Sequence, residues 1–415
     1  MNGITGPSRR YALAFGLCCA ATLVAAPAAA ENFRCGQTPP AKLEVERTTA
    51  NLDTERFFDV IARAMDGRFR GYAVIFTGRA GERLGFRRAG WAVDPCEPGA
   101  RGAAFDLNTE TAIGSVTKLF TTVAVLKATH DWLRLESPAM TNYLPFRWRR
   151  MAHPYYDTVS ITDLLQHKAG FRHTGNEHVA SRLSKGRELD TPIGSRTYSN
   201  SSMGIFHFIY AKYAFRSPYH QTEVEFQNAP LDRYNAEIQK KTSHFYNIGL
   251  YNTIFRPLRI SATCNPGEAK FPSGRPEYFP FHNVARSYAS AADTRGRLLV
   301  DNTLNCAAGG LYLSTKDLAR FMTALDDPKF LPSEHRDRMI NNGPADDLFG
   351  FGAPGGAVGG RSFAHNGARF EGGDASIAEV VRFPSGAHAV FTANSGAGGV
   401  DVTATLIAAY NAARS

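Results

Sequence analysis

The chain has 415 residues, 43% hydrophobic and 20% charged, with a formal charge of +9. This is the composition of an ordinary soluble globular protein, long enough for one large domain or two smaller ones, without internal repeats or low-complexity tracts. The basic balance does not indicate a nucleic-acid partner, because no nucleic-acid motif accompanies the cluster Phe146-Arg147-Trp148-Arg149-Arg150.

Taken in order, the chain opens on an export pattern. Arg9 and Arg10 precede an apolar run from Tyr11 to Ala26, and Ala28-Ala29-Ala30 stands before Glu31. Residues 1–30 therefore read as a signal peptide cleaved after Ala30, with an uncleaved anchor as the alternative. Its loss leaves a charge of +7 (9 − 2, residues 1–30 holding no acids). No later run reaches the ~18 apolar residues of a membrane span, so a periplasmic or secreted protein is expected. Cys18 and Cys19 leave with the signal; Cys35, Cys96, Cys264 and Cys306 remain, an even number suited to an oxidising compartment. Four cysteines allow three pairings. We expect Cys35–Cys96 and Cys264–Cys306, which keep each pair on one side of the central helical region.

Residues 31–50 are polar and Pro-containing, a tether. Residues 51–66 place Phe57, Val60, Ile61 and Ala64 on one helix face, with Gly67 as the stop. Tyr72–Thr77 is β-rich, and Arg83–Val93 is its hairpin partner after the turn at Gly81. A helix then carries Ser115 and ends before Asp131. From there to about Pro344 the chain reads as helix and loop. In that stretch Ser314 and Asp317 form a capping box ahead of Leu318, Phe321, Met322 and Leu325. The glycine-rich stretch Gly350–Gly360 lacks a Gly-Lys-Ser/Thr ending, so it reads as a return to the sheet and not a phosphate cradle. Strands are expected at Ser362–Ala368, Ile377–Phe383 and Ala387–Asn394, and a closing helix at Val400–Ala413. Sheet elements thus lie at both chain ends, with helices between them.

Three short motifs carry chemistry. Ser115 and Lys118 form the only Ser-x-x-Lys, and at i, i+3 they share a helix face. Serine needs a base to become a nucleophile. A lysine serves only where burial leaves part of it neutral, and Ile113, Val116, Leu119, Phe120, Val123 and Leu126 supply apolar surroundings. The helix start adds backbone N–H groups beside a developing oxyanion. A capping serine beside a solvated lysine is the bland alternative. Tyr198-Ser199-Asn200 is the only Tyr-x-Asn: its phenol can share a proton with an amine, and Asn200 can hold both the lysine amine and a substrate amide. The alternative is a helix-start turn capped by Ser199 or Asn200. His365-Asn366-Gly367 lies on the first late strand, where glycine lets a substrate backbone approach and the next amide, on Ala368, can complete an oxyanion hole with the amide of Ser115. A surface histidine is the alternative there. No CxxC or zinc-ordered histidine spacing occurs, and His167, His173 and His178 are expected to be structural or exposed. Neither a metal nor a cofactor is expected.

With these motifs in this order, the chain resembles the serine β-lactamase and penicillin-binding protein superfamily, and within it the class C β-lactamase and D-alanyl-D-alanine carboxypeptidase group. IGSVTKLFT, ITDLLQHKAGF, TYSN, IFRPLRISAT and AAGGLYLSTKDLARF carry the likeness over essentially the whole mature chain. It implies an α+β, β-lactamase/transpeptidase-like fold: an antiparallel sheet built from both chain ends, flanked by helices, with a mainly helical central region. The domain spans 51–415, its sheet part about 51–112 and 345–415 and its helical part about 113–344. The likeness also implies that Ser115 is acylated, that Lys118 and Tyr198 share the proton transfers, and that Asn200, His365, Asn366 and Gly367 bind substrate. An exported serine hydrolase is expected, acting on a peptide amide, β-lactam or ester, D-alanyl carboxypeptidase/D-aminopeptidase-like or esterase-like, with cell-wall peptide among the substrates. A non-catalytic cell-envelope binding protein is the alternative. Two departures bear on substrate. Histidine stands where true β-lactamases mostly carry lysine, and Asn366 replaces a small hydroxyl residue that would bind a substrate carboxylate. If a cationic His365 takes that carboxylate, affinity should weaken as pH rises through its pKa, ordinarily about 6.5.

Overall fold

A computed structural model describes residues 33–47, 51–128, 135–136, 140–172, 183, 191–266, 284–340 and 348–414. The expected signal peptide, His173 and His178 lie outside these residues.

Strand β1 (Lys42–Val45) is followed by helix α1 (Thr54–Met65), capped by Asp53, whose carboxylate accepts the Arg56 N–H at 3.0 Å. Gly67 then takes a left-handed φ of 72°, the expected stop. Strands β2 (Gly71–Thr77) and β3 (Arg83–Val93) form a hairpin, and the short β4 (Ala103–Ala104) pairs with β3. Near the other chain end, β8 (Phe363–Glu371), β9 (Asp374–Arg382) and β10 (His388–Ala393) form an antiparallel meander, and helix α8 (Val402–Arg414) closes the chain. The two groups join where β10 pairs with β2, giving the order β1-β3-β2-β10-β9-β8, antiparallel throughout.

Alternation along the strands feeds two cores. Tyr72, Val74 and Phe76 of β2 meet Phe57, Phe58 and Ile61 of α1 and Leu406 and Tyr410 of α8, while Ala73 and Ile75 face the opposite core. That second core surrounds helix α2 (Thr117–Ala128), buried on all sides from Thr117 to Leu126, with Phe120 stacked on Phe321 at 3.8 Å between centroids. The other helices that position the site are α3 (Ile161–Leu165), held by a Ser160–Asp163 capping box, α4 (Asn200–Gly204), α5 (Phe206–Ala214), α6 (Leu231–Leu250) and α7 (Thr315–Ala324).

Three features depart from the sequence reading. Part of the expected tether is β1, paired in register with Arg88–Gly85 of β3; its Lys-Leu-Glu-Val alternates over only four residues, too few to announce a strand. The central stretch supplies two strands of a second antiparallel sheet, β7 (Tyr312–Ser314) and β6 (Ala262–Thr263), which join β5 (Glu110–Ala112) from just before it in the order β5-β7-β6, all too short to show alternation. The β8–β9 hairpin runs further than expected, to a turn at Gly372 and Gly373, both with positive φ. Disulfides join Cys35 to Cys96 and Cys264 to Cys306, the expected pairing.

Candidate active site

Ser115 lies in a single 3-10 turn, Gly114–Val116, that leads directly into α2. Lys118, one turn on, is fully buried, and its Nζ donates to Ser115 Oγ at 2.9 Å and to the Ala308 carbonyl at 2.6 Å. No carboxylate offsets its charge among the described contacts. Burial lowers its pKa from 10.5 to about 7, so a large fraction is neutral amine near neutral pH.

The Ala308 carbonyl belongs to a segment that clamps the start of α2. Ala307 O accepts from Thr121 Oγ1 at 2.6 Å, the Leu311 N–H donates to Thr117 Oγ1 at 3.2 Å, and Leu311 O accepts the Ile113 N–H at 3.1 Å. Cys306, tied to Cys264, anchors the same segment. No side-chain signal could mark Ala308, because the group it contributes is a carbonyl.

Strand β8 meets the Ser115 turn through two glycines. Gly114 has a φ of 50°, and a Cβ on it would lie 2.6 Å from Ala368 N; a Cβ on Gly367 would lie 2.0 Å from Ile113 O and 2.9 Å from Ser115 N. Neither position has space for a methyl group. Ala364 exchanges both backbone hydrogen bonds with Gly352, at 2.8 and 3.0 Å, on the side of β8 away from β9. Strand alternation turns the Asn366 and Ala368 N–H groups to that same side. The amides of Ser115 and Ala368 thus lie at the contact between the turn and the strand, the arrangement an oxyanion site needs.

Tyr198 completes the cluster. Lys118 Nζ sits 5.0 Å from its ring centroid, and its phenol is near enough to Ser115 for the hydroxyl to lower the phenol pKa. Burial raises the phenol pKa, against a lowering by the Ser115 hydroxyl and the Arg196 charge. The ring remains 42% exposed. Ser199 caps α4, accepting the Ser202 N–H at 3.3 Å, so the capping alternative and the juxtaposition of Tyr198 with Ser115 both hold. Asn200 does not hold the lysine amine: among the described residues its buried Oδ1 has no hydrogen-bond partner, and the Lys118 amine turns to Ser115 and Ala308.

His365 is buried, with Nδ1 2.7 Å from Asn366 O. Desolvation, reinforced by the Lys118 charge, pushes its pKa down to about 3. The ring is therefore neutral at physiological pH, and the expected cationic carboxylate binder does not fit: a buried group beside a cation resists charging. Asn366 is exposed at the rim. With Arg196, Tyr198, His365 and His167, and with Gly350–Gly352 of the glycine-rich stretch, it lines a cavity of about 180 Å³. His167, expected to be structural or exposed, is buried in the wall of this cavity. Among the described residues no group of three or more His, Cys, Asp or Glu is placed to hold a metal ion.

A family model described as Beta-lactamase matches residues 57–412. No curated protein sequence matches the chain. Solved structures with a similar fold include the octameric penicillin-binding protein homologue from Pyrococcus abyssi, 17% identical over 83% of this chain and 74% of that one, with a TM-score of 0.56. The D-amino acid amidase from Ochrobactrum anthropi SV3, complexed with L-phenylalanine amide, is 18% identical over 87% and 98%, with a TM-score of 0.59. A D-stereospecific amidohydrolase from Streptomyces sp. is 17% identical over 86% and 98%, with a TM-score of 0.57. At these identities the likeness is one of fold.

Proposed function

The chain belongs to the Beta-lactamase family, and on that premise we propose that it is a serine hydrolase working through an acyl-enzyme on Ser115. The observation that carries this reading is the 2.9 Å contact between Ser115 Oγ and a fully buried Lys118 whose amine is about half neutral near pH 7. Neutral Lys118 takes the hydroxyl proton as Ser115 Oγ attacks a substrate carbonyl. The oxyanion rests on the Ser115 and Ala368 amides. Tyr198, between Lys118 and solvent, passes the proton to the leaving group, and water then releases the acyl group by the reverse transfers. Asn200 and the His365-Asn366-Gly367 edge hold the substrate, with His365 as an uncharged hydrogen-bonding group.

The 180 Å³ cavity beside Tyr198 is below the ~300 Å³ of drug-sized pockets. It suits a compact group such as one amino-acid residue or a short ester, in keeping with the D-amino acid amidase and D-stereospecific amidohydrolase among the similar folds. We therefore favour D-aminoacyl amides, D-alanyl peptides and short-chain esters over bulky β-lactams. The two disulfides suit an exported protein, and no helix of the described residues is long and apolar enough to cross a membrane.

Intact-mass spectrometry after treatment with a fluorophosphonate and with a fluorescent penicillin tests the reading. One adduct on the wild type and none on Ser115→Ala is expected; no adduct from either probe overturns it. Turnover of D-alanyl peptides, nitrocefin and short-chain esters then ranks the substrates.

A further inference from the structure

We propose that His167 is the positioning residue for Tyr198, gripping the backbone on both sides of the phenol and the ring itself. The inference rests on the hydrolase reading above and adds a part to it. Three contacts from one residue hold three successive residues. The His167 carbonyl accepts the Thr197 N–H at 2.9 Å, its ring lies 4.7 Å from the Tyr198 ring between centroids, and its Nδ1 accepts the Ser199 N–H at 3.3 Å.

The backbone makes this possible. His167 follows α3 with a φ of 59°, a left-handed conformation uncommon outside glycine. The chain beyond it runs alongside 191–197: Lys168 O accepts from Gly194 N at 2.9 Å and Gly170 O from Thr191 N at 3.1 Å. His167 is the end of this zipper nearest the nucleophile, and there the side chain joins the backbone in the contact.

The grip depends on a neutral ring, because a protonated Nδ1 has no lone pair for the Ser199 N–H. The groups that face it among the described residues are Lys118 of α2, Arg196 and Tyr198 of the adjoining loop, and His365 of β8. Burial first, and then the Lys118 and Arg196 charges, keep His167 uncharged through the working pH range. The effect on chemistry is geometric. Tyr198 is partly exposed on a short segment, and a displacement of about 1 Å from its place beside Ser115 costs on the order of 10²-fold in rate.

The test uses His167→Gly, which keeps the left-handed turn without strain, and His167→Asn, which tolerates that turn and returns an acceptor oxygen. Melting curves of both establish that they fold. Should His167→Gly not fold, His167→Asn carries the same comparison with a smaller loss. His167→Gly is expected to lower kcat by about 10- to 100-fold with KM little changed, and His167→Asn to recover part of it. In a Tyr198→Phe background the same glycine substitution should cost less than about twofold, because the role runs through the phenol. A folded His167→Gly enzyme with wild-type kcat, or one that loses the same factor in both backgrounds, overturns the inference. Fluorophosphonate labelling separates the two readings. If Ser115 takes no label, the hydrolase reading falls and this inference with it. If Ser115 is labelled yet turnover is indifferent to His167, this inference falls alone.

Discussion

The two faces of the main sheet differ in what they stabilise. One is covered by α1 and α8 with Phe57, Phe76, Phe383, Phe391 and Tyr410, an aromatic and aliphatic interface whose burial stabilises the fold. The other packs on α2 and encloses Lys118, whose charge has no acidic partner among the described contacts. Both faces bury a hydrophobic core, and the second does so around an amine taken out of water. Each carries a buried ionisable group whose shift can be tested, and the two respond to pH in opposite directions. Lys118 has its pKa lowered to about 7; Glu379 of β9, on the side of the sheet that α8 covers, has its pKa raised to about 8, chiefly by burial.

Lys118→Met sharpens the contrast most. Removing the base should lower kcat by about 10²- to 10⁴-fold, yet raise the melting temperature. The sign follows from linkage. Between about pH 7 and 10.5 the unfolded chain binds the proton and the folded chain does not, so wild-type stability rises with pH across that window. The methionine gain is therefore largest below pH 7 and gone near pH 10.5, and in the wild type kcat/KM should show an acid limb near pH 7. A methionine variant that retains activity or melts earlier at pH 6 breaks the comparison.

Phe57→Ala examines the opposite face. Phe57 is fully buried and stacked on Phe76 at 4.1 Å, so its truncation should cost about 3–5 kcal/mol in chemical denaturation. The kcat of the remaining folded enzyme should not change, since no atom of that face reaches Ser115.

Glu379→Gln is the smallest of the three. The raised pKa means the folded state keeps a proton that the unfolded state loses. This contribution is complete below about pH 4.5 and disappears as pH rises through about 8. The glutamine variant should match the wild type at pH 4.5 and be the more stable at pH 8. Parallel melting curves across this range would show that the proton is not held.

The apolar face is the part most legible from sequence. Phe57, Val60, Ile61 and Ala64 recur at helical spacing, and the late strands and closing helix stand close to where their patterns place them. On the reactive face only Ser115–Lys118 is local enough to see, since i, i+3 on one helix turn brings the groups together with no help from the rest of the fold. Tyr198 stands 80 residues further along (198 − 118), and its proximity was expected from the family resemblance rather than from spacing. Ala308 acts through its backbone. The role of His365 changed because burial and a neighbouring cation, both tertiary facts, hold it neutral. β1 is not legible in sequence because an edge strand is defined by its hydrogen-bonding partner, and the alternation of Lys42–Val45 covers only four residues.

Gly114 and Gly367 give the reactive face its tolerance in ångströms. Their contribution is clearance: each presents only a hydrogen where any other residue would place carbon, and that sets how near the β8 amides come to the nucleophile. A single added methyl would wedge strand and turn apart while leaving every polar group of the cluster in the sequence. The geometry of the cluster can thus be lost without changing any of its polar side chains, and an inventory of those side chains alone would miss the cause.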